Sequence, residues 1–587
     1  MIQTENINLI WASLLVDECI RNGASTFFLA PGARCTPLTL AVARHPEART
    51  VLHYDERGLG FAALGFARAT GRPGVVITTS GTAVSNLHPA VVEAGMDDQP
   101  LLLLTADRPP ELRQTGANQA IDQVGHFAAV TRWAFDLPCP DTAISPTMPL
   151  STLDHALFRT RNGPVHLNCM FREPLAPLPD RTDAEAYLAP LHLWSKSRDP
   201  YTVHELSTRQ VDEITLTAIE PLFPGEEKVL LVAGGGLTEA EALAVIQLAE
   251  QRGWPVVSDV TSGLHFGPKG TGVIRHVDPL ISGEGFPEAL TPDLVVQFGP
   301  RFLSKTLLQA LTHTQLRAWI QVTPREHRLD PHHQVTHRFC SEIDRFCFLL
   351  ERVGSVSAES AWQGAWAEAD REVENSLGEL LDENPGISEP GVARAVSRFL
   401  PNLHGLVLGA SMPVRDMNAF AAENLCHIHV TANRGASGID GTLATAAGFA
   451  MGLQQGATVL LGDLTFLHDL NSLALIRKGR FPVIVVVINN HGGGIFHFLP
   501  LANHSDDFEK FWGTPHTMNF ENAAAQYNLP YALPRDMGEF IDTYQDALEN
   551  GESCLIEVQT DREDNKHLHM ALAEKLSETA AQRNFAG

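Results

Sequence analysis

Two polar side chains, Asp463 and Asn490, each follow a strand-like apolar run in the last third of the chain. The runs are residues 457–461 and 481–488, and a stretch of helical periodicity lies between them. Because the carboxyl ends of parallel strands meet at one edge of an α/β sheet, we expect the two side chains to lie close together. A carboxylate, a carboxamide and a nearby backbone carbonyl are hard oxygen ligands that suit Mg²⁺. The spacing therefore predicts a site for a divalent cation and a phosphate group.

The order of a strand, Gly462-Asp463, 25 residues and an Asn pair resembles the diphosphate-anchoring signature of thiamine diphosphate enzymes. Those enzymes usually have a second glycine where this chain has Leu464. The resemblance implies that thiamine diphosphate is held through Mg²⁺ or Mn²⁺, with Asp463, Asn490 and Gly492 as the metal ligands. The alternative is structural: Asp463 would cap the following helix, and the Asn pair would form a tight turn.

Six further segments, in series along the chain, match motifs of one branch of these enzymes. Together they resemble the 2-succinyl-5-enolpyruvyl-6-hydroxy-3-cyclohexene-1-carboxylate synthase family of menaquinone biosynthesis. The resemblance is close in the first and last thirds of the chain and loose in the middle. The segments are residues 30–38, 55–60, 79–83, 105–112, 116–120 and 433–441.

The resemblance implies a reaction and a role for Glu56. In that family thiamine diphosphate attacks the keto carbon of 2-oxoglutarate, CO₂ leaves, and the resulting carbanion adds to isochorismate in a Stetter-like 1,4-addition. Glu56 follows the strand-like residues 51–53 and occupies the family's position for the carboxyl group that hydrogen-bonds N1′ of the cofactor, which assists proton removal. We therefore expect Glu56 to be catalytic. The alternative is a glutamate favoured by the dipole at the start of a helix predicted over residues 58–70.

Both substrates are dicarboxylates, so we expect several guanidinium groups around the site of an otherwise acidic protein. Three positions depart from the family pattern: Ala33 and Cys35 replace common serines, and Thr306 replaces the second basic residue after Lys305. Substrate affinity then rests more heavily on the arginines. The substrate contacts implied by the resemblance are Arg34, Arg108, Asn118, Gln119, Lys305, Ser411, Arg415 and Arg434.

Apolar residues complete the expected site. Ile439 matches the wedge that bends the cofactor in the family. Ile495, Phe496 and Leu499 would form a wall against the substrate that excludes water while the carbanion exists. The cofactor contacts implied by the resemblance are Glu56, Ile439, Gly462, Asp463, Leu464, Asn490, Gly492 and Ile495.

The elements that must position these residues form three blocks in which strand-like runs alternate with helical segments. This alternation predicts an α/β protein with three doubly wound parallel-sheet domains, and the resemblance implies that they are of the thiamine diphosphate-dependent decarboxylase type. We predict a pyrimidine-binding domain over residues 1–190, a central nucleotide-fold domain over 205–355 and a diphosphate-binding domain over 385–587. The resemblance also implies an active site between the first domain of one subunit and the third of another, in a homodimer or homotetramer.

Charge and cysteine content exclude several classes of partner. A net charge of −26 argues against nucleic acid and anionic membranes, both of which reward basic surfaces. The eight cysteines are scattered without a CxxC pair, which is typical of a reducing compartment. No run of 18 uncharged apolar residues occurs, and the first residues lack the basic start of a signal peptide. We expect a cytoplasmic enzyme.

Two other patterns could indicate ligand sites. Residues 232–237 contain three consecutive glycines after a strand-like run, but Glu239 stands where a dinucleotide motif needs its third glycine. We interpret this segment as a nucleotide fold kept for structure. The second pattern is a group whose spacing matches no standard zinc site, and we expect its members to be solvated loop residues. They are His327, His332, His333, His337 and Cys340.

Two other functions stay open. An acetolactate synthase-like enzyme would use pyruvate, a smaller donor with one negative charge, for which an arginine cluster would be superfluous. A non-catalytic relative would bind the cofactor or a partner for regulation. The presence of Glu56, Asp463 and Asn490 together favours catalysis over that last alternative.

Overall fold

The computed structural model describes residues 2–205, 213–225, 228–267, 270, 272–281, 285–353 and 360–581. The described strands form three six-stranded sheets, and every pairing within them is parallel. The predicted class, three doubly wound parallel-sheet α/β domains, is confirmed. The predicted domain limits at residues 1, 355 and 587 lie outside the described residues. None of the described helices is both long and apolar enough to cross a bilayer.

In the first sheet the strand order reverses between β1 and β3, and Arg34 lies in the loop that follows β1. Its strands are β1 (Thr26–Leu29), β2 (Arg49–Leu52), β3 (Gly74–Thr78), β4 (Leu101–Asp107), β5 (Trp133–Leu137) and β6 (Val165–Met170). Its helices are α1 (Ile7–Arg21), α2 (Thr36–Ala43), α3 (Glu56–Thr70), α4 (Thr82–Asn86), α5 (His88–Met96), α6 (Thr147–Thr160) and α7 (Ala184–Leu188). The order is β2-β1-β3-β4-β6-β5, so the loops after β1 and β3 diverge and open a crevice, where sheets of this kind bind ligands.

The middle sheet has the strand order of dinucleotide-binding folds, β12-β11-β10-β7-β8-β9. Its strands are β7 (Val229–Ala233), β8 (Val256–Ser258), β9 (Val273–Ile274), β10 (Leu294–Phe298), β11 (Ala318–Thr323) and β12 (His337–Cys340). The helices are α8 (Glu213–Ile219), α9 (Glu239–Arg252), α10 (Val277–Leu280), α11 (Lys305–His313), α12 (Ile343–Leu350) and α13 (Ala361–Leu377). The three glycines of the sequence pattern leave β7 at the point where the order reverses.

The third sheet repeats the topology of the first, with the order β14-β13-β15-β16-β18-β17. Its strands are β13 (Gly405–Leu408), β14 (His429–Ala432), β15 (Ala457–Gly462), β16 (Val483–Asn489), β17 (Tyr531–Ala532) and β18 (Cys554–Gln559). The helices are α14 (Glu389–Phe399), α15 (Met412–Phe420), α16 (Thr442–Leu453), α17 (Asp463–His468), α18 (Leu473–Lys478), α19 (Glu521–Gln526), α20 (Met537–Asn550) and α21 (Arg562–Ala581). Reversal between β13 and β15 places Ser411 and Asp463 on the two sides of one crevice.

The first and third domains meet where α3 packs against α16. A Cβ added to Gly448 would lie 1.9 Å from the carbonyl oxygen of Ala62, and one added to Gly65 would lie 2.1 Å from that of Thr445. Both distances are far shorter than a van der Waals contact, so the two helix backbones touch directly. Because close-packed interiors do not absorb even one extra carbon without shifting, the contact depends on these glycines.

We expect Gly448→Ala to lower the melting temperature by about 2–6 °C, because the added methyl group must push α3 and α16 apart at a cost of about 1–3 kcal/mol. Differential scanning fluorimetry measures the change. Gly364→Ala is the matched control, since Gly364 is an exposed residue of α13 where a Cβ would meet nothing within 4 Å. A Gly448→Ala protein as stable as the Gly364→Ala protein would contradict the backbone contact.

Candidate functional site

Asp463 lies at the carboxyl edge of the third sheet, directly after β15. Its side chain is 2% exposed. The backbone N–H of Gly492 donates to Asp463 Oδ2 at 2.8 Å, and that of Leu464 donates to Oδ1 at 2.6 Å. Burial raises the pKa of the Asp463 carboxyl, and these two hydrogen bonds oppose the rise. A cation beside the carboxylate would stabilise its charged form further.

The cap alternative for Asp463 does not hold. Gly462 is the N-cap of α17, and Asp463 is already its first helical residue. The tight-turn alternative applies to Asn489 rather than Asn490, because the Asn489 side-chain oxygen accepts from the N–H of His491 at 3.3 Å, and His491 has a φ of +60°. The Asn490 side chain is therefore not the one that forms this turn.

Asn490 presents an unpartnered oxygen directly after β16, the strand that pairs with β15 before Asp463. Its Nδ2 donates to Glu389 Oε1 at 2.9 Å, whereas its Oδ1 is buried and has no hydrogen-bond partner among the described residues. Gly492 has a φ of +148°, and an added Cβ would lie 2.2 Å from the carbonyl oxygen of Gly513, so only glycine fits there. A buried carboxylate and a buried, unpartnered amide oxygen that follow neighbouring strands are a donor set that fits a hard divalent cation.

Sequence reasoning missed two neighbours of this pair. His516 Nε2 lies 3.1 Å from Asp463 Oδ2. Glu389 is fully buried, and its pKa is raised to about 7 by burial and by the nearby charge of Asp416. Neither residue has a local sequence signal, since both reach the site from other parts of the chain.

Glu56 is the first residue of α3, at the carboxyl edge of the first sheet. The Asp55 side chain caps the helix by accepting from the N–H groups of Arg57 and Gly58, which leaves the Glu56 carboxylate free of that task. Glu56 is half-buried, and Asn86 Nδ2 lies 3.4 Å from its Oε2. The carboxylate is therefore accessible at the predicted edge.

The start of α3 is tied to the segment that follows Asp463 in the third domain. Arg57 Nη2 donates to the carbonyl oxygen of His468 at 2.6 Å, and Asn471 Nδ2 donates to Asp55 Oδ2 at 3.2 Å. A Cβ on Gly58 would lie 2.7 Å from Ser472 Oγ. These contacts fix the first turn of α3 against the helices that begin at Asp463.

Two guanidinium groups of the first domain, those of Arg108 and Arg34, interact electrostatically. Arg108 Nη1 donates to the backbone oxygen of Gln119 at 2.9 Å and also to the Ser80 hydroxyl. Its pKa is lowered by burial and then by the positive charge of Arg34. Arg34 in turn donates to the backbone oxygen of Phe171 at 2.9 Å. Gln119 is exposed beside this pair, as is its neighbour Asn118.

A second pair of guanidinium groups lies in the third domain. Arg415 Nη1 donates to the backbone oxygen of Ser411. The pKa of Arg415 is lowered by burial and then by the charge of Arg434, and burial lowers the pKa of Arg434 as well. Two cations whose charges act unfavourably on each other favour an anionic ligand. Lys305 is exposed at the start of α11 and makes no hydrogen bond or ion pair within the described part of the chain.

The backbone that carries Arg434 is held from two sides by residues that sequence reasoning missed. Glu93, on α5, accepts from the N–H of Gly435 at 2.8 Å and from that of Ala436 at 2.6 Å. Arg301, from the middle domain, donates to the carbonyl oxygens of Arg434 and Gly435 at 3.0 and 2.6 Å. All three domains therefore take part in placing this loop.

The predicted apolar residues border the same edge of the third sheet. Ile495 and Phe496 are half-buried in a short 3₁₀ turn (Gly494–Phe498) that begins two residues after Gly492. Leu499, directly after that turn, is 43% exposed, and Ile439 is 38% exposed. Leu499 and Ile439 are thus accessible to a ligand at this edge.

The three glycines after β7 lie in a closely packed turn. Gly234 donates to the carbonyl oxygen of Phe298 at 2.8 Å, and a Cβ there would lie 2.3 Å from that of Arg301, which supports a packing role. A capping box between Thr238 and Glu241 occupies the start of α9 where a phosphate would bind. The loop borders a cavity of about 1110 Å³ that neither Asp463 nor Asn490 lines.

The group of histidines is partly ordered in a strand, contrary to expectation. His332 and His333 are exposed, and His327 Nε2 lies 2.6 Å from Asp98 Oδ2. His337 and Cys340, however, begin and end β12 rather than lying in a loop. The loop prediction was wrong for these two because β12 pairs with β11 in spite of its polar composition.

Three protein-family models match the chain in consecutive parts. One described as "Thiamine pyrophosphate enzyme, N-terminal TPP binding domain" matches residues 11–126. One described as "Middle domain of thiamine pyrophosphate" matches residues 185–408. One described as "Thiamine pyrophosphate enzyme, C-terminal TPP binding domain" matches residues 419–558. The three matches follow the order of the three sheets.

Curated proteins with similar sequences share one name, 2-succinyl-5-enolpyruvyl-6-hydroxy-3-cyclohexene-1-carboxylate synthase. The one from Rubrobacter xylanophilus is 45% identical over 572 residues, which cover 97% of this chain and 98% of that protein. The one from Salinibacter ruber is 43% identical, with 97% and 96% covered. The one from Chlorobaculum tepidum is 40% identical, with 98% of each covered.

Proposed function

Since the chain belongs to the thiamine diphosphate-dependent 2-succinyl-5-enolpyruvyl-6-hydroxy-3-cyclohexene-1-carboxylate synthase family, as its motifs predicted, we propose that it acts on 2-oxoglutarate and isochorismate. It would release CO₂ from the first and transfer the remaining succinyl unit to the second, as a carbon–carbon bond-forming transferase of menaquinone biosynthesis. The observation that carries this proposal is that the positive charge of Arg34 acts on Arg108 and that of Arg434 acts on Arg415. Two dicarboxylate substrates need such charges, whereas pyruvate does not.

The cation site is the first part of this proposal. The Asp463 carboxylate, Asn490 Oδ1 and the carbonyl oxygen of Gly492 would hold Mg²⁺ or Mn²⁺, which in turn binds the diphosphate. Gly462 and Leu464 would contact the cofactor from the start of α17. The buried, unpartnered Asn490 Oδ1 supports this arrangement, because a buried acceptor without a partner is costly unless a ligand satisfies it.

The catalytic group is the second part. The cofactor, when bound, supplies an acidic carbon that becomes the nucleophile. Glu56 would hydrogen-bond the pyrimidine ring and exchange a proton with it, which its accessible carboxylate at the start of α3 permits. Ile439 would support the bent cofactor, and Ile495 would contact its other side.

The substrate contacts are the third part. Arg34, Arg108, Arg415 and Arg434 would bind carboxylates, and the wall of Ile495, Phe496 and Leu499 would exclude water and limit premature protonation. The remaining contacts are proposed on the family resemblance alone. They are Asn118, Gln119, Lys305 and Ser411.

We also propose that the site is completed between subunits of a homodimer or homotetramer, with the first domain (1–190) of one facing the third (385–587) of another. Leu52 and Tyr54 support this, since both are more than half exposed directly before Glu56. Apolar side chains exposed beside a site are typical of an interface. Residues 205–355 would form the central domain, which lies between the first and third domains in the sequence.

The test is CO₂ release together with product mass, measured with purified protein, thiamine diphosphate, Mg²⁺, 2-oxoglutarate and isochorismate. We expect CO₂ and a product with the mass of the decarboxylated succinyl adduct. Decarboxylation without the adduct would contradict isochorismate as acceptor. Faster CO₂ release from pyruvate than from 2-oxoglutarate would instead favour the acetolactate synthase-like alternative.

We expect Arg34→Ala and Arg434→Ala each to raise the KM of one substrate by roughly 10- to 100-fold, since a hydrogen bond between charged groups contributes about 1.5–3 kcal/mol. The KM of each variant is measured for both substrates, which shows which arginine binds which dicarboxylate. Arg477→Ala, at an exposed residue of α18, is the control. Unchanged KM values for both substrates in both variants would refute the assignment.

A further inference from the structure

Glu389 is buried behind the proposed cation site. It is the first residue of α14 and is 3% exposed. Its Oε1 accepts from Asn490 Nδ2 at 2.9 Å and from the Thr560 hydroxyl at 3.1 Å. A carboxylate oxygen therefore faces the amide nitrogen of Asn490 from inside the domain.

This contact decides which way the Asn490 carboxamide points. A carboxamide has one donor end and one acceptor end, and a carboxylate oxygen accepts. With Nδ2 bound to Glu389, Oδ1 must face the other way, and it is buried there without a partner among the described residues. We propose that Glu389 is a positioning residue that holds the Asn490 oxygen toward the divalent cation. This inference rests on the proposed cation site.

The surroundings of Glu389 argue against a role in stability alone. The charge of Asp416 acts on Glu389, and Asp416 itself lies 3.2 Å from His569 Nε2 on α21. Two acidic groups buried near each other disfavour folding, because burial and a like charge both penalise the ionised form. A carboxylate at this position is more easily explained by the orientation it imposes on Asn490.

The role of Glu389 resembles that of other groups next to metal ligands. Such groups hold a ligand by its second polar atom, and their removal typically weakens metal binding by about 10- to 100-fold. In Asn490 the second polar atom is Nδ2, and Glu389 is its hydrogen-bond partner. Glutamine at position 389 would keep an acceptor oxygen for Asn490 and Thr560, whereas leucine would keep only the volume.

The experiment is a Mn²⁺ titration followed by electron paramagnetic resonance of the free ion, with thiamine diphosphate present and no substrate. We expect Glu389→Leu to weaken Mn²⁺ binding by about 10- to 100-fold and Glu389→Gln to stay within about threefold of wild type. Thr560→Val is the matched control, because it removes the other partner of the same oxygen without touching Asn490. If Glu389→Leu does not fold, Glu389→Ala takes its place.

Equal binding by wild-type and Glu389→Leu proteins would overturn the role of Glu389, and so would an equal loss in Thr560→Val. Asp463→Asn separates this failure from failure of the site itself. If Asp463→Asn weakens Mn²⁺ binding but Glu389→Leu does not, the cation site stands and only the positioning role is wrong. If Asp463→Asn also binds like wild type, both the proposed site and the inference fail.

Discussion

Glu56→Gln is expected to lower the turnover number by about 10²- to 10⁴-fold while thiamine diphosphate and Mg²⁺ still bind. Glutamine can hydrogen-bond the pyrimidine but cannot exchange a proton with it, so the chemical step loses about 3–5 kcal/mol of stabilisation. The turnover number is measured as CO₂ release, and cofactor binding is measured by equilibrium dialysis.

Asp55→Ser is the matched control for this variant. Serine also caps helices, so the start of α3 should persist while one negative charge next to Glu56 is lost. We expect Asp55→Ser to keep activity within severalfold of wild type. If Glu56→Gln is as active as Asp55→Ser, Glu56 is not the catalytic carboxyl. The non-catalytic alternative would be favoured only if the wild-type protein binds the cofactor and shows no turnover.

Asp463→Asn is expected to weaken Mn²⁺ binding by about 100-fold or more, and to weaken thiamine diphosphate binding with it. The reason is that Asp463 is the one carboxylate that we assign as a ligand of the cation, and the substitution removes its charge. Isothermal titration of thiamine diphosphate at fixed Mn²⁺ measures the loss. Unlike Glu56→Gln, this variant should lose activity through binding, so high cofactor and metal concentrations should restore part of the turnover.

Asp469→Asn distinguishes a lost ligand from a lost buried charge. Asp469 is also buried, but it accepts from the N–H of Ala444 and from Ser472 Oγ, and its pKa is raised to about 6 by burial. We expect Asp469→Asn to leave Mn²⁺ affinity near that of wild type. A comparable loss of affinity in both variants would show that Asp463 acts through folding.

The central strands of all three sheets could be predicted from sequence because strands buried on both faces are continuous apolar runs. The strands that the sequence indicates least clearly are short or lie at sheet edges. β5 lies at one edge and has a single buried residue, Leu137, and β9 and β17 have only two residues each. β12 is rich in polar residues because one of its sides has no neighbouring strand. Such segments are defined by the strand next to them rather than by their own pattern.

The residues of the candidate site also fall into some that the sequence indicates and others that it does not. Asp463 and Asn490 could be found because each follows a strand whose position the sequence indicates. Glu389 could not, since it lies 101 residues before Asn490 and starts a helix like many other glutamates. Glu93 is 342 residues from Gly435, and a buried glutamate on a helix gives no local signal of its partner. Contacts between domains depend on docking, which periodicity does not describe.

The glycine contact between α3 and α16 has a consequence for the synthesis of the chain. The last residue of α3, Thr70, and the first of α16, Thr442, are separated by roughly 370 residues. Ribosomes add about 5–20 residues per second, so α3 emerges on the order of 20–70 s before the surface that covers it exists. During that interval the nascent first domain exposes an apolar helix. Release of chains that stop short of residue 442 should therefore yield aggregates, and molecular chaperones would be needed most before the third domain is made.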